Sequence, residues 1–243
     1  CNCSQLETVS IGANISIGSS AFSGCSSLKN ISIAAGSRRI SIERYAFSRC
    51  TSLASVSLPE NVRYIEEGGF KDCTSLQSVN FSFGLLGIGV VAFSNTALNY
   101  VVIPNSVINI FYRAFDKCPL SAILVPNSVT GIDNGLCNSD AIIQCYPGSC
   151  SQSYATEHDY QISLLQPVAS SSLSLSAPTV YMNVDDVIKI PYTIAPANTT
   201  DAIIWESSNT GIATVNGIGE VTAKGVGSAT VIATTTSGVR ASV

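Results

Sequence analysis

Residues 46–58 read AFSRCTSLASVSL, and the first part of that stretch returns as AFSGCSSL from Ala21, GFKDCTSL from Gly69, AFSNTAL from Ala92 and AFDKCPL from Ala114. The phenylalanines of the phrase, Phe22, Phe47, Phe70, Phe93 and Phe115, recur every 22 to 25 residues. A fixed period of roughly 20 to 29 residues predicts a solenoid, in which each coil buries its apolar face only by stacking on a neighbour. The second part of the stretch is an L-x-x-V-x-I pattern: Leu6/Val9/Ile11, Leu28/Ile31/Ile33, Leu53/Val56/Leu58, Leu76/Val79/Phe81, Leu98/Val101/Ile103 and Leu120/Ile123/Val125. Apolar residues at every second position predict a strand with one buried face, and one such strand per coil stacks into a parallel sheet.

Turn signals follow each strand, as PENV from Pro59 and PNSV from Pro104 and Pro126, with Ile65, Ile110 and Ile132 three residues beyond the valine. Each coil therefore has two short extended pieces and one bend. These residues resemble the BspA-like subclass of leucine-rich repeats, whose consensus is approximately IPNSVTSIGxxAFxxCxxLxxV, over Cys1 to about Leu165. The second repeat departs from it, with AAGSRRISIERY in place of the proline turn. The resemblance also implies a terminal strand and helix in IIQCYPGSCSQSYA (142–155). That helix is expected to cap the last coil with Tyr154, Ala155 and Tyr160, because an uncovered coil exposes its apolar edge.

From Leu164 the composition turns to LLQPVASSSLSLSAP, read as a short linker. Beyond it alternating segments at 180–184, 187–194, 202–206, 212–215, 220–223 and 229–233 have the spacing of a β-sandwich. The run IAPANTTDAIIWESSNTGIATVNGIGEVTAKGVGSATVIATTTSG resembles the group 2 bacterial immunoglobulin-like domains. The expected fold is thus mainly β: a solenoid of about six coils with a C-terminal cap over residues 1–165, then an immunoglobulin-like sandwich over 166–243. Trp205, the single tryptophan, reads as the plug between its sheets.

The 243 residues are 46% hydrophobic and 12% charged, enough apolar surface to fold two domains. A net charge of -4, with 12 Lys and Arg in all, excludes a nucleic-acid or basic membrane-binding surface. The most apolar run, Leu85 to Phe93, is too short to span a bilayer. The first residues lack the pattern of a signal peptide, so an export signal or anchor is expected outside these residues.

Nine cysteines in an exported chain suggest disulfides. Cys3, Cys25, Cys50, Cys73 and Cys118 are instead locked to the repeat and expected to point into the coil as reduced core. Cys1, Cys137, Cys145 and Cys150 lie at the ends, where a bridge from Cys137 or Cys145 to Cys150 stays open. No C-x-x-C pair or histidine partner supports zinc. His158 is the only histidine, and no G-x-S-x-G turn accompanies it, which argues against a hydrolase. Glu66/Glu67 and Asp185/Asp186 are adjacent and read as solvated turns; further ligands that would make Asp185/Asp186 a calcium site are missing. Asn14, Asn30, Asn80 and Asn198 begin N-x-[ST] sequons that matter only in a glycosylating source. No cofactor or metal is expected, and no catalysis.

The strand alternation also predicts the outward residues: Thr8, Asn30, Ser55, Ser78, Tyr100 and Ala122 in one row, and Ser10, Ser32, Ser57, Asn80, Val102 and Leu124 in the next. The first four coils thus show small polar groups, whereas the last two show Tyr100, Val102, Ala122 and Leu124. An outward apolar cluster is either a partner site or a seat for the cap or the second domain. The sequence reads as a secreted or cell-surface adhesion or recognition protein binding an extracellular protein or glycan. A structural spacer and an accessory region of a larger exported enzyme are the competing readings.

Overall fold

The computed structural model describes residues 3–176, 178–196 and 199–243; Cys1 and Asn198 lie outside them. The chain divides into two compact units, Cys1–Leu165 and Gln166–Val243.

In the first unit the repeated phenylalanines define the coil. Phe22, Phe47, Phe70, Phe93 and Phe115 stack with centroids 5.3 to 5.4 Å apart and interplanar angles of 4 to 8°, and the last four rings are fully buried. Alternate backbone N–H groups along the phrase donate to the next coil, as Phe47 N does to Gly69 O and Phe70 N to Ala92 O, both at 2.8 Å. Identical phrases therefore fall into register, and each buried aromatic pair adds about 0.5 to 1.5 kcal/mol beyond its burial. In the sixth coil Phe115 N reaches Leu136 O, so Cys137 stands where the phenylalanine would.

The alternating pattern forms one row of parallel strands: Thr8–Ile11 with Asn30–Ile33, Ser55–Ser57 with Ser78–Asn80, and Tyr100–Val102, Ala122–Leu124, Ile142–Cys145 and Gln161–Leu164 in one sheet. A second parallel sheet runs through Ile40–Ile42, Val62–Ile65, Gly87–Ile88, Asn109–Ile110 and Gly131–Ile132. Leucine, isoleucine and valine from both sheets meet the phenylalanine stack in one continuous core. The divergent second repeat still supplies the first strand of that sheet through Ile40 and Ile42, both buried.

The cap helix, Cys150–Glu157, starts on Ser149, whose hydroxyl accepts from Gln152 N at 3.1 Å. It buries Tyr154 and Ala155 against the last coil, with the Tyr154 hydroxyl accepting from Leu136 N. Beyond the helix the unit gains a strand that the sequence reading did not include. The chain returns as the strand Gln161–Leu164, which pairs in parallel with Ile142–Cys145 and extends the sheet by one strand.

The second unit is antiparallel, with ladders joining Ser172–Leu175 to Tyr192–Ala195, Val187–Lys189 to Glu220–Ala223 to Ala213–Val215, and Ile203–Ser207 to Val231–Thr235 to Arg240–Ser242. Trp205 plugs its core beside Tyr192 and Val221. Gly219, at φ +77, lies beneath that ring, and a Cβ there would meet Trp205 at 2.6 Å. Two expectations change here. The 187–194 segment splits in two because Pro191 has no N–H to donate, and its halves join different ladders. Residues 180–184 form no strand, whereas Ser172–Leu175, within the stretch read as linker, does.

Candidate functional site

The rows of outward side chains follow from strand register. Thr8 pairs with Asn30, Ser55 with Ser78, and Tyr100 with Ala122; Ser10 pairs with Ser32, Ser57 with Asn80, and Val102 with Leu124. Thr8, Ser10, Asn30, Ser32, Ser55, Ser57, Ser78 and Asn80 are all exposed, so the early coils present neutral hydroxyls and amides.

Of the apolar four, Tyr100 is 48% and Val102 49% exposed. Ala122 is not an exposed member of the cluster: it is buried at 8%, and Leu124 is half-buried. Their register is as read, but the alternation could not show what covers them. The Tyr100 hydroxyl donates to Gln144 Oε1 at 3.1 Å, two strands away, and so spans the strand that carries Ala122 and Leu124. Tyr100 and Val102 thus stand exposed at the end of a polar face, with Gln144 as the tyrosine's hydrogen-bond partner.

A second exposed apolar group was not anticipated. Ile108, Phe111 and Tyr112 are 40%, 41% and 42% exposed beside the second sheet. The signal was present in the repeat, because INIFYR (108–113) replaces the T-x-I-polar pattern of TGIDNG (130–135).

The cysteines place themselves by packing. Cys25, Cys50, Cys73 and Cys118 are buried free thiols, but Cys3 is exposed and departs from the row. The Cys73 and Cys118 thiols each donate at 3.0 Å to the phenylalanine carbonyl of the preceding coil, Phe47 and Phe93. Thr96 fills the same slot in the fourth coil and meets Cys118 Sγ at 3.1 Å. Burial pushes the Cys137 thiol up to about 12, and Cys137, Cys145 and Cys150 are free. Buried thiols of this kind are poor nucleophiles.

The other polar groups serve the fold. His158 closes the cap helix, with Nδ1 3.0 Å from Tyr154 O and Nε2 3.0 Å from Asn134 Oδ1. Asp186 Oδ2 accepts from Asn183 N at 2.8 Å and closes a turn. Glu67 accepts from Tyr45 and Arg44, and the Tyr45 hydroxyl holds its carboxyl below the usual range. Among the described residues no group of three or more His, Cys, Asp or Glu side chains could hold a metal ion, and no helix is long and apolar enough to cross a membrane.

Residues 1–121 match the BspA type leucine rich repeat region in six copies, and residues 169–242 match the group 2 bacterial Ig-like domain. The chain is a BspA-type leucine-rich-repeat protein with a group 2 bacterial Ig-like domain. A stretch of 72 residues, 29% of this repeat protein, is 39% identical to an A type blood N-acetyl-alpha-D-galactosamine deacetylase from Flavonifractor plautii, of which it covers 9%. Among solved structures it is similar to a leucine-rich repeat protein from Bacteroides ovatus, with a TM-score of 0.49 and 23% identity over 65% of this chain and 43% of that one. It is also similar to a leucine rich cell surface protein from Faecalibacterium prausnitzii, with a TM-score of 0.40 and 22% identity over 58% of this chain and 55% of that one.

Proposed function

We propose that this protein is a non-catalytic adhesion or recognition protein of the cell surface, which binds an extracellular protein or glycan on the strand row that ends in Tyr100 and Val102. The carrying observation is that these two large side chains are about half exposed on a face whose outward residues in the earlier coils are small and polar. Packing within the coil gives no reason for them, whereas aromatic and aliphatic anchors commonly dominate an interface. The test is to change Tyr100 to Ser and Val102 to Asp together and to probe a panel of matrix proteins and a glycan array. Binding by the parent chain that falls tenfold or more in the variant, at an unchanged Tm, supports the site. Undiminished binding removes it.

The match to part of a deacetylase favours a second reading, an accessory region of a larger exported enzyme. On that reading the chain turns over nothing itself, and fusing it to a deacetylase domain lowers the KM for a surface-displayed glycan while leaving kcat alone. An unchanged KM counts against it.

A further inference from the structure

The fifth coil breaks the repeat at three outward positions, and backbone pairing shows what stands there in its neighbours. Leu86 N donates to Arg63 O, Ile108 N to Leu86 O and Thr130 N to Ile108 O, so Arg63, Leu86, Ile108 and Thr130 occupy one place in successive coils. In the same way Glu66, Gly89, Phe111 and Asp133 share a place, through Gly89 N to Ile65 O, Phe111 N to Ile88 O and Asp133 N to Ile110 O. Glu67, Val90, Tyr112 and Asn134 share the next one, through Gly68 N to Val90 O, Val91 N to Tyr112 O and Arg113 N to Asn134 O. Where the third coil carries Arg63, Glu66 and Glu67 and the sixth carries Thr130, Asp133 and Asn134, the fifth carries Ile, Phe and Tyr. All three are exposed to about two-fifths, so the core does not require them.

The patch extends toward the third coil. Tyr64, also exposed, pairs with Gly87, whose missing Cβ leaves room for the tyrosine ring at 3.2 Å. Leu86 and Val90, half-buried, lie between Tyr64 and the fifth coil. At its margin stand both acids and arginines. The Arg113 guanidinium lies 5.0 Å over the Tyr112 ring, and Arg44 is paired with Glu67. Glu66 and Asp133 then flank the apolar centre in the third and sixth coils.

We infer that this patch, on the second sheet and apart from the Tyr100 face, is a protein-docking surface whose partner presents large apolar side chains flanked by lysine or arginine. The apolar centre supplies the anchor, and Glu66 and Asp133 select its surroundings. A second copy of the chain fits less well, because each copy would bring the same Glu66 and Asp133 to the interface. A sugar fits less well because Ile108, at the centre, has no flat face to stack on.

The test selects a displayed library of random dodecapeptides on the full chain and measures the winners by fluorescence polarisation. Enriched peptides should carry two or more large apolar residues together with lysine or arginine. They should lose tenfold or more in affinity on Phe111→Asp with Tyr112→Ser, and severalfold on Glu66→Gln with Asp133→Asn. If the first variant unfolds, Ile108→Thr installs the residue of the sixth coil and should still weaken binding severalfold at an unchanged Tm. Enriched peptides that are acidic, or affinities that none of these variants alters, overturn the proposal. So does sedimentation showing a dimer that Phe111→Asp dissolves, or glycan-array binding lost in that variant.

Discussion

The Tyr100 hydroxyl and Gln144 Oε1 are joined at 3.1 Å across an intervening strand, and this single hydrogen bond ties the fourth coil to the sixth over Ala122 in the fifth. The strand it crosses carries Ala122, which is 8% exposed although it stands on the outward face. Removing only the hydroxyl, in Tyr100→Phe, should cost under about 1 kcal/mol, the worth of one exposed hydrogen bond. Tyr100→Ala should additionally expose Ala122, and hydrogen exchange at residues 122–124 should rise in the alanine variant but not in the phenylalanine one. Equal exchange in both variants would show that the ring does not shield that strand.

Phe70 sits in the middle of the stack, with Phe47 and Phe93 both 5.3 Å away. Phe70→Ala should destabilise the solenoid by about 3 to 5 kcal/mol, since a void in a stacked array removes contacts on both sides. Urea denaturation followed by far-UV circular dichroism measures it. A loss below about 1 kcal/mol would mean that the coils close over the gap.

The thiols should separate by reactivity. Cys3, exposed, should alkylate first with iodoacetamide at pH 8 and Cys150, half-buried, more slowly. Cys25, Cys50, Cys73 and Cys118 should react only after denaturation. Burial raises Cys25 and Cys118, and the contact with Cys50 together with burial raises Cys73. Peptide mass spectrometry reads each site, and native labelling of Cys73 or Cys118 at the rate of Cys3 would contradict the closed coil.

Asp201 gathers the start of the Ig-like unit. Its carboxylate accepts from Ser170 N at 2.6 Å, from Thr236 Oγ1 at 2.8 Å and from the Ser170 and Ser237 hydroxyls. Burial works against its charge, but the hydroxyls of Ser170, Ser237 and Thr236 and the Ser170 amide outweigh that and hold it well below the usual carboxylate range. A carboxyl whose pKa is depressed on folding stabilises fully above its unfolded pKa, about 3.9, and that contribution fades as pH falls toward the folded value. Asp201→Asn should therefore cost about 1 to 3 kcal/mol at pH 7, with the difference from the parent shrinking between about pH 4 and pH 2. It should also speed proteolysis at residues 166–171. A difference that stays constant with pH would assign the effect to packing instead.

The sequence by itself determined the coil and the interior. The phenylalanine phrase and the two-residue alternation are local patterns, and stacking identical units repeats each local choice along the array, so register and core follow from the period alone. Trp205 was legible for a similar reason, as one large aromatic in an alternating strand. Only the tertiary structure decided which outward residues are reachable. Tyr100, Val102, Ala122 and Leu124 look alike in a period of two, yet Tyr100 and Val102 are exposed and Ala122 is buried, and the tyrosine hydroxyl crosses the intervening strand to Gln144. Cys3 and Cys25 hold the same place in the repeat, yet one is exposed and the other buried. Ile108, Phe111 and Tyr112 lie outside the strand pattern, on either side of Asn109–Ile110 in the second sheet, where no periodicity assigns a face and exposure depends on the coils to either side.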